Sequence, residues 1–376
     1  MEKKKELELY VHIPFCVRKC AYCDFVSKPG TSAEQKRYVE SLLAEIEKAE
    51  HDPEYEVVSV FFGGGTPSIL RSEFLTSILA ALGEHFTFAP ETEITLEANP
   101  GTVDMEKLLA YRKAGFNRIS FGCQSIHAEE LKRLGRIHTF EEFQESFYMA
   151  RKAGFDNISV DLMSGLPGQT LSSLEESLKT VAGMKPEHLS VYSLIVEMGT
   201  PFADQKLDLP DEDTEREMYE MTGRLLKDYG FWQYEISNYA KKGYACRHNR
   251  GYWERTEYLG FGPSAASLYQ NRRWTNIRDV KQYMESEGAA DRIRTDQEIL
   301  SEKDCMEEFM FLGLRMTQGV SRKKFFDLFG KRMESVYGEV LKKYGQMGML
   351  TVSEDQVALS RAGISVSNVI LSEFLL

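Results

Sequence analysis

The chain has 376 residues, enough for two or three domains or for one large domain with an appendage. Its 46 Lys and Arg against 58 Asp and Glu give a net charge of -12, which leaves no basic stripe of the kind that neutralises phosphates, so nucleic acid is not an expected partner. With 42% hydrophobic and 28% charged residues, the composition is that of an ordinary globular protein with a sizeable core, not of a disordered or collagen-like chain.

The first residues, MEKKKELELYVHIPF, carry no apolar run followed by a small-residue cleavage site, and nothing later approaches the ~18 apolar residues of a membrane span. A cytoplasmic protein is expected. In chain order, short β-branched or aromatic runs predict strands over 7–13, 57–62, 93–97, 118–121, 158–162 and 189–194. Amphipathic stretches predict helices between them over 32–50, 72–82, 105–113, 140–152 and 171–184. One phrase recurs: Arg112-Lys-Ala-Gly-Phe-Asn-Arg-Ile-Ser120 is echoed by Arg151-Lys-Ala-Gly-Phe-Asp-Asn-Ile-Ser159, and more weakly around Gly230. Each copy has a basic last helical turn, a glycine suited to a left-handed cap, an apolar residue and then a strand, as successive β/α units would. After about Gln270 the alternation fades. Helices are expected over 297–316, 321–329 and 333–344, then two short strands within 350–359. That order suggests a mostly helical, winged-helix-like domain over 271–376, acting as a lid or interaction module because it lacks a basic recognition face.

Three of the six cysteines fall within eight residues, as Cys16-x3-Cys20-x2-Cys23, directly after the first strand. In a reducing compartment such crowding points to a metal rather than disulfides. Three soft ligands suit an iron-sulfur cluster, zinc or copper(I). A four-iron cubane on three cysteines leaves one iron open for another ligand. The alternatives are zinc, with His12 or Asp24 as fourth ligand, and a set of unliganded core thiols.

Polar residues also close the other strands. The second runs into Gly63-Gly64-Gly65-Thr66, the third ends at Glu97-Ala-Asn-Pro100, the fourth at Gly122-Cys-Gln124, and the fifth carries Asp161. In a β/α barrel, the C-terminal strand ends converge on one site. The glycines would let backbone approach a ligand and offer N–H and C=O groups to a zwitterion. Glu97 and Asp161 would hold an ammonium or ribose hydroxyls, and Gln124 can both donate and accept. Taken singly, each of these residues could equally be a cap or a turn.

The string Tyr10-Val-His12-Ile-Pro-Phe-Cys16-x3-Cys20-x-Tyr22-Cys23 resembles the signature of radical S-adenosylmethionine enzymes, specifically the branch holding oxygen-independent coproporphyrinogen III oxidase and the HemW heme chaperones. The resemblance implies a partial (β/α)6 barrel over 1–270. It also implies a [4Fe-4S] cluster on Cys16, Cys20 and Cys23, with S-adenosylmethionine chelating the unique iron and open to cleavage to a 5'-deoxyadenosyl radical. Tyr10, Gly64, Gly65, Thr66, Glu97, Gln124, Arg136 and Asp161 match S-adenosylmethionine-binding positions, and Tyr22 matches the aromatic residue of the cysteine motif.

Two departures separate the branches. The oxidase signature has a further cysteine two residues after the third, where this chain has Phe25, and it carries an arm ahead of the motif, whereas Tyr10 stands near the start. Both favour the chaperones. The string His248-Asn249-x-x-Tyr252-Trp253 resembles their heme-binding motif, with His248 as an axial ligand and the aromatics packing on the macrocycle. The expectation is a heme chaperone, without an assigned enzymatic step, that delivers heme to respiratory proteins, some at the membrane surface, and that can form a homodimer. The alternative is the oxidase itself, which decarboxylates two propionates of coproporphyrinogen III.

Overall fold

The computed structural model describes residues 4–376. Its first half is a run of β/α units: β1 (Lys5–Ile13), α1 (Ser32–Glu47), β2 (Tyr55–Gly64), α2 (Ser72–His85), β3 (Phe88–Ala98), α3 (Met105–Ala114), β4 (Arg118–Gln124), α4 (Ala128–Leu134), α5 (Phe140–Lys152), β5 (Ile158–Ser164), α6 (Leu171–Gly183), β6 (His188–Ser193) and α7 (Glu212–Asp228). Strands β1 to β6 pair in parallel and in chain order. This is the expected radical-S-adenosylmethionine α/β architecture, an open six-unit sheet and not a closed barrel.

Local chemistry sets the boundaries. Thr31 and Thr139 form capping boxes with Glu34 and Glu142 at the starts of α1 and α5. The repeated phrase builds the same corner twice. Gly115 and Gly154 take φ of 113° and 91° just past α3 and α5, and Phe116 and Phe155 are fully buried. In both, the arginine returns to a carbonyl: Arg112 Nη1 donates to the Phe116 oxygen at 2.6 Å and Arg151 Nη1 to the Phe155 oxygen at 3.0 Å.

The strands alternate. On β1, Leu7, Leu9, Val11 and Ile13 are buried within the main apolar core, while Glu8, Tyr10 and His12 occupy the opposite, interior face. The interior of the partial barrel is therefore polar.

The sheet continues beyond these units. β7 (Trp232–Gln233) and β8 (Asn238–Ala240) extend it antiparallel past β6. On the other side, α8 (Arg247–Glu254) leads into β9 (Glu257–Phe261), which pairs in parallel with β1. β10 (Ala266–Tyr269), β11 (Arg272–Asn276) and, after α9 (Val280–Glu285) and α10 (Ala290–Ile293), β12 (Arg294–Ile299) complete a twelve-stranded sheet. The division expected at 270/271 falls in the β10–β11 hairpin turn, where Gln270 and Asn271 have φ of 48° and 61°.

The second apolar core begins at Met306. It is built by α11 (Glu302–Gly313), β13 (Val320–Ser321), α12 (Arg322–Phe329), α13 (Met333–Gln346), β14 (Leu350–Val352) and β15 (Gln356–Leu359), closed by α14 (Arg361–Ile364) and α15 (Ser367–Ser372). β13, β15 and β14 form a small antiparallel sheet beside the helices. The helix expected from 297 starts only at Glu302, because residues 294–299 pair with β11 and Ser301 caps α11 through a box with Asp304.

Candidate functional site

The loop after β1 is stapled at its base and in its middle. Cys16 N donates to the Lys28 carbonyl at 3.1 Å and Lys28 N to that of Pro14 at 3.0 Å, while Ala21 N donates to the carbonyl of Leu134, the last residue of α4, at 3.0 Å. These bonds set Cys16, Cys20 and Cys23 at the mouth of a cavity of about 410 Å3, also lined by Tyr22, Gly64, Gly65, Thr66, Glu97, Gln124, Arg136 and Asp161. Burial raises the Cys16 and Cys23 thiols, and repulsion from Cys20 adds to it. A cationic metal group would relieve that repulsion.

The glycine run acts through what it lacks. A Cβ on Gly65 would fall 2.5 Å from the Phe15 carbonyl oxygen, and one on Gly64, whose φ is 106°, 2.6 Å from the His12 ring. Gly65 N and Thr66 N donate to the carbonyls of Ile13 and Phe15 at 2.8 and 2.7 Å. The amide donors expected for a zwitterion are thus already engaged with the cysteine loop, because β1 and β2 run side by side to this point.

Opposite the cysteines stand two buried carboxyls. Burial and the neighbouring Asp161 charge push Glu97 up to about 8, against the N–H of Gly64 and the charge of Arg118, which pull it down. Asp161 is raised by burial too, although Ser120 donates to it at 3.2 Å. Gln124 sits at φ 67° with its Oε1 buried and unpartnered, an acceptor in the cavity wall awaiting a donor. Arg136 Nη2 donates at 2.6 Å both to Asn99 Oδ1 and to the Gly122 carbonyl, and its Nη1 lies 3.8 Å from Cys20 Sγ. Asn99 Nδ2 donates in turn to Thr66 Oγ1 at 2.7 Å. Asn99 and Tyr192, which also line the cavity, were not singled out from the sequence. The donor Asn99, two residues past Glu97 at a strand end, was the available signal.

The donor set fits a cluster with a bound zwitterion. Acceptors that favour a cation (Glu97, Asp161, Gln124) face a guanidinium that favours a carboxylate, beside three soft sulfurs. It fits zinc less well. His12 Nε2 donates to the Val26 carbonyl at 2.8 Å and its Nδ1 accepts from Tyr10 at 3.1 Å, so His12 is already engaged at both nitrogens. Among the described residues, no three His, Cys, Asp or Glu side chains gather closely enough to hold a single metal ion.

Tyr10, expected among the cofactor-binding residues, does not line this cavity; it lies on β1 with its hydroxyl on His12. The remaining expected residues are further away. His248 is 1% exposed on α8, its Nδ1 2.8 Å from Ser59 Oγ and its Nε2 3.0 Å from the Tyr252 hydroxyl. Burial and the Arg118 charge hold its imidazole down at about 3. Both of its ring nitrogens are thus engaged with hydroxyls in this arrangement. Asn249 is half-buried beside it, and Trp253 stacks under Arg315, 4.5 Å from the ring centroid.

The Radical SAM superfamily matches residues 10–181, and the HemN C-terminal domain matches residues 300–366. The chain is 38% identical to heme chaperone HemW of Bacillus subtilis (strain 168) over 372 residues, covering 97% of this chain and 98% of that one. It belongs to the HemW family. Heme chaperone HemW of Escherichia coli (strain K12) is 36% identical over the full length of both chains. Among solved structures, coproporphyrinogen III oxidase (HemN) from Escherichia coli, a radical SAM enzyme, superposes with a TM-score of 0.85 at 25% identity, covering 99% of this chain and 90% of that one. The HemW match thus spans both the partial barrel and the C-terminal unit. Among the described residues no helix is long and apolar enough to cross a membrane.

Proposed function

We propose that this protein is a heme chaperone that holds a [4Fe-4S] cluster and S-adenosylmethionine at the barrel mouth and passes heme to respiratory proteins from the cytoplasm. The observation that carries the reading is the near-full-length likeness to proteins named heme chaperone HemW. Phe25 supports it: this side chain, 63% exposed, stands on the cavity rim at the position where the oxidase signature has its further cysteine.

Cys16, Cys20 and Cys23 would hold the cluster and leave one iron for the methionyl amine and carboxylate. The chemistry that such a cluster supplies when bound is one-electron reduction of the sulfonium. Arg136, fixed by Asn99 and the Gly122 carbonyl, is placed to orient a carboxylate, and Glu97 and Asp161 to hold positive charge or hydroxyls.

The test is a pair of assays on anaerobically reconstituted protein: a hemin titration, and incubation with coproporphyrinogen III, S-adenosylmethionine and a reductant. A stable Soret band without protoporphyrinogen is expected. Protoporphyrinogen formation would overturn the chaperone reading in favour of the oxidase.

A further inference from the structure

The His-Asn-x-x-Tyr-Trp segment folds as α8, and α8 lies against the interior of the partial barrel. Its first turn is held by Glu93 of β3, whose carboxylate oxygens accept from Arg247 N at 3.0 and 3.1 Å, an anion at a helix N-terminus. Its middle lies on β1: a Cβ on Gly251 would fall 2.1 Å from Glu8 Oε1. His248 reaches β2 through Ser59. Its ring stacks 5.1 Å from Phe61 at 22° and 6.3 Å from Tyr10 at 27°.

From Tyr10 a directed path leads to the cysteines. The Val26 carbonyl can only accept, so His12 Nε2 carries the proton and His12 Nδ1 accepts from the Tyr10 hydroxyl. Val26 is three residues past Cys23, and the next two residues lead to the Lys28 carbonyl that binds Cys16 N. The His12 ring also fills the space that a Cβ on Gly64 would need.

We propose that His248 is a positioning residue for the cofactor cavity: through Tyr10 and His12 it fixes the loop that carries Cys16, Cys20 and Cys23, and it does not ligate heme. The proposal rests on the cluster and S-adenosylmethionine reading above, and replaces only the place assigned to heme.

The experiment compares wild type, His248→Ala, His248→Phe and Tyr252→Phe after anaerobic reconstitution. Three quantities are read: the dissociation constant of S-adenosylmethionine, the change it induces in the EPR spectrum of the reduced cluster, and hemin binding. Phenylalanine restores a ring under Tyr10 but has no nitrogen for iron. The expected result is weaker S-adenosylmethionine binding in the alanine variant, about tenfold, as for other supporting partners of metal sites. The phenylalanine variant should recover most of that loss and the EPR change, with hemin binding unaltered in both. Loss of hemin binding in both variants, with a wild-type EPR response, would overturn the proposal. If the alanine variant does not fold, Tyr252→Phe decides. It frees Nε2 with the imidazole in place, so a ligand role requires tighter hemin binding and a shifted Soret band, whereas a positioning role requires neither. Absence of hemin binding in wild type would sink the chaperone reading alone and leave the S-adenosylmethionine and EPR readouts to judge this one.

Discussion

Glu97 is where burial and charge conflict most sharply in the cavity. Its carboxyl is pushed up to about 8 from an ordinary value of 4.5. An acid with a raised folded-state pKa contributes stability that is complete below its unfolded value and is lost as pH climbs towards the folded one. The ligand-free protein should therefore lose stability between pH 4.5 and about 8, with a slope of about 1.4 kcal/mol per pH unit from this group. Asp161, raised for the same reason, adds to the loss. Urea unfolding should find Glu97→Gln more stable than wild type at pH 8, with the two converging near pH 4.5. A cationic ligand reverses the preference, so S-adenosylmethionine affinity should rise with pH up to about 8 and then level, and Glu97→Gln should flatten that rise. A Glu97→Gln profile parallel to wild type would show that another group titrates. At this scale the sequence displayed charged strand ends well and hydrogen-bond intermediaries poorly. Glu97 and Asp161 stand out as acids closing apolar runs, whereas Asn99 before Pro100 reads as a turn, and only the folded chain shows it joining Arg136 to Thr66.

Among the elements, the β/α units were legible because each carries its own signals: an alternating or apolar run, a capping box, a glycine exit. The repeated corner at Gly115 and Gly154 is the clearest case, since one sequence phrase gives the same cap, the same buried phenylalanine and the same arginine-to-carbonyl bond. α8 was not legible as a helix. It is short and polar, and its meaning comes from Glu8, Ser59 and Glu93, which are distant in sequence. The same glycine-to-alanine change should have opposite signs on two elements. At Gly83, near the end of α2, an added Cβ meets nothing within 4 Å, so helix propensity should stabilise the protein by about 0.5–1 kcal/mol. At Gly65 the Cβ meets the Phe15 backbone, which cannot swing aside as a side chain would, so a loss of about 1–3 kcal/mol is expected, together with lower iron content after reconstitution. Denaturant midpoints and iron assay check both. A neutral Gly65→Ala with full iron would mean that the cysteine loop does not depend on this close approach.

For the whole molecule, the question is how the two apolar cores are joined. The sequence pattern fades after residue 270 because β10, β11 and β12 are short strands in an antiparallel extension, broken only by the short α9 and α10 instead of the long helices that mark the earlier units, so the strand pairing continues to Ile299 before the second core begins at Met306. The junction is chemically specific. Glu308 on α11, almost fully buried, accepts from Arg255 at 2.7 Å and pairs with Arg273 at 2.6 Å, while Leu268, Leu300 and Cys305 form a small apolar cluster beside it. Arg255 follows α8 directly and Arg273 lies on β11, so one carboxylate ties the barrel side to the C-terminal unit. A lone surface ion pair contributes little, but here one buried acid serves two half-buried arginines, and its removal leaves both cations with their desolvation uncompensated. Glu308→Ala should therefore cost about 1–3 kcal/mol, discounted from the fully buried case because both arginines keep some solvent. The loss should fall on the contact between the units rather than on either core. Calorimetry should then resolve two transitions in the variant where the wild type shows more nearly one, with the C-terminal unit melting first because its core is the smaller. A single transition, merely shifted down, would mean that the apolar cluster and the Trp253–Arg315 stack suffice to couple the two units, and that Glu308 acts only within α11.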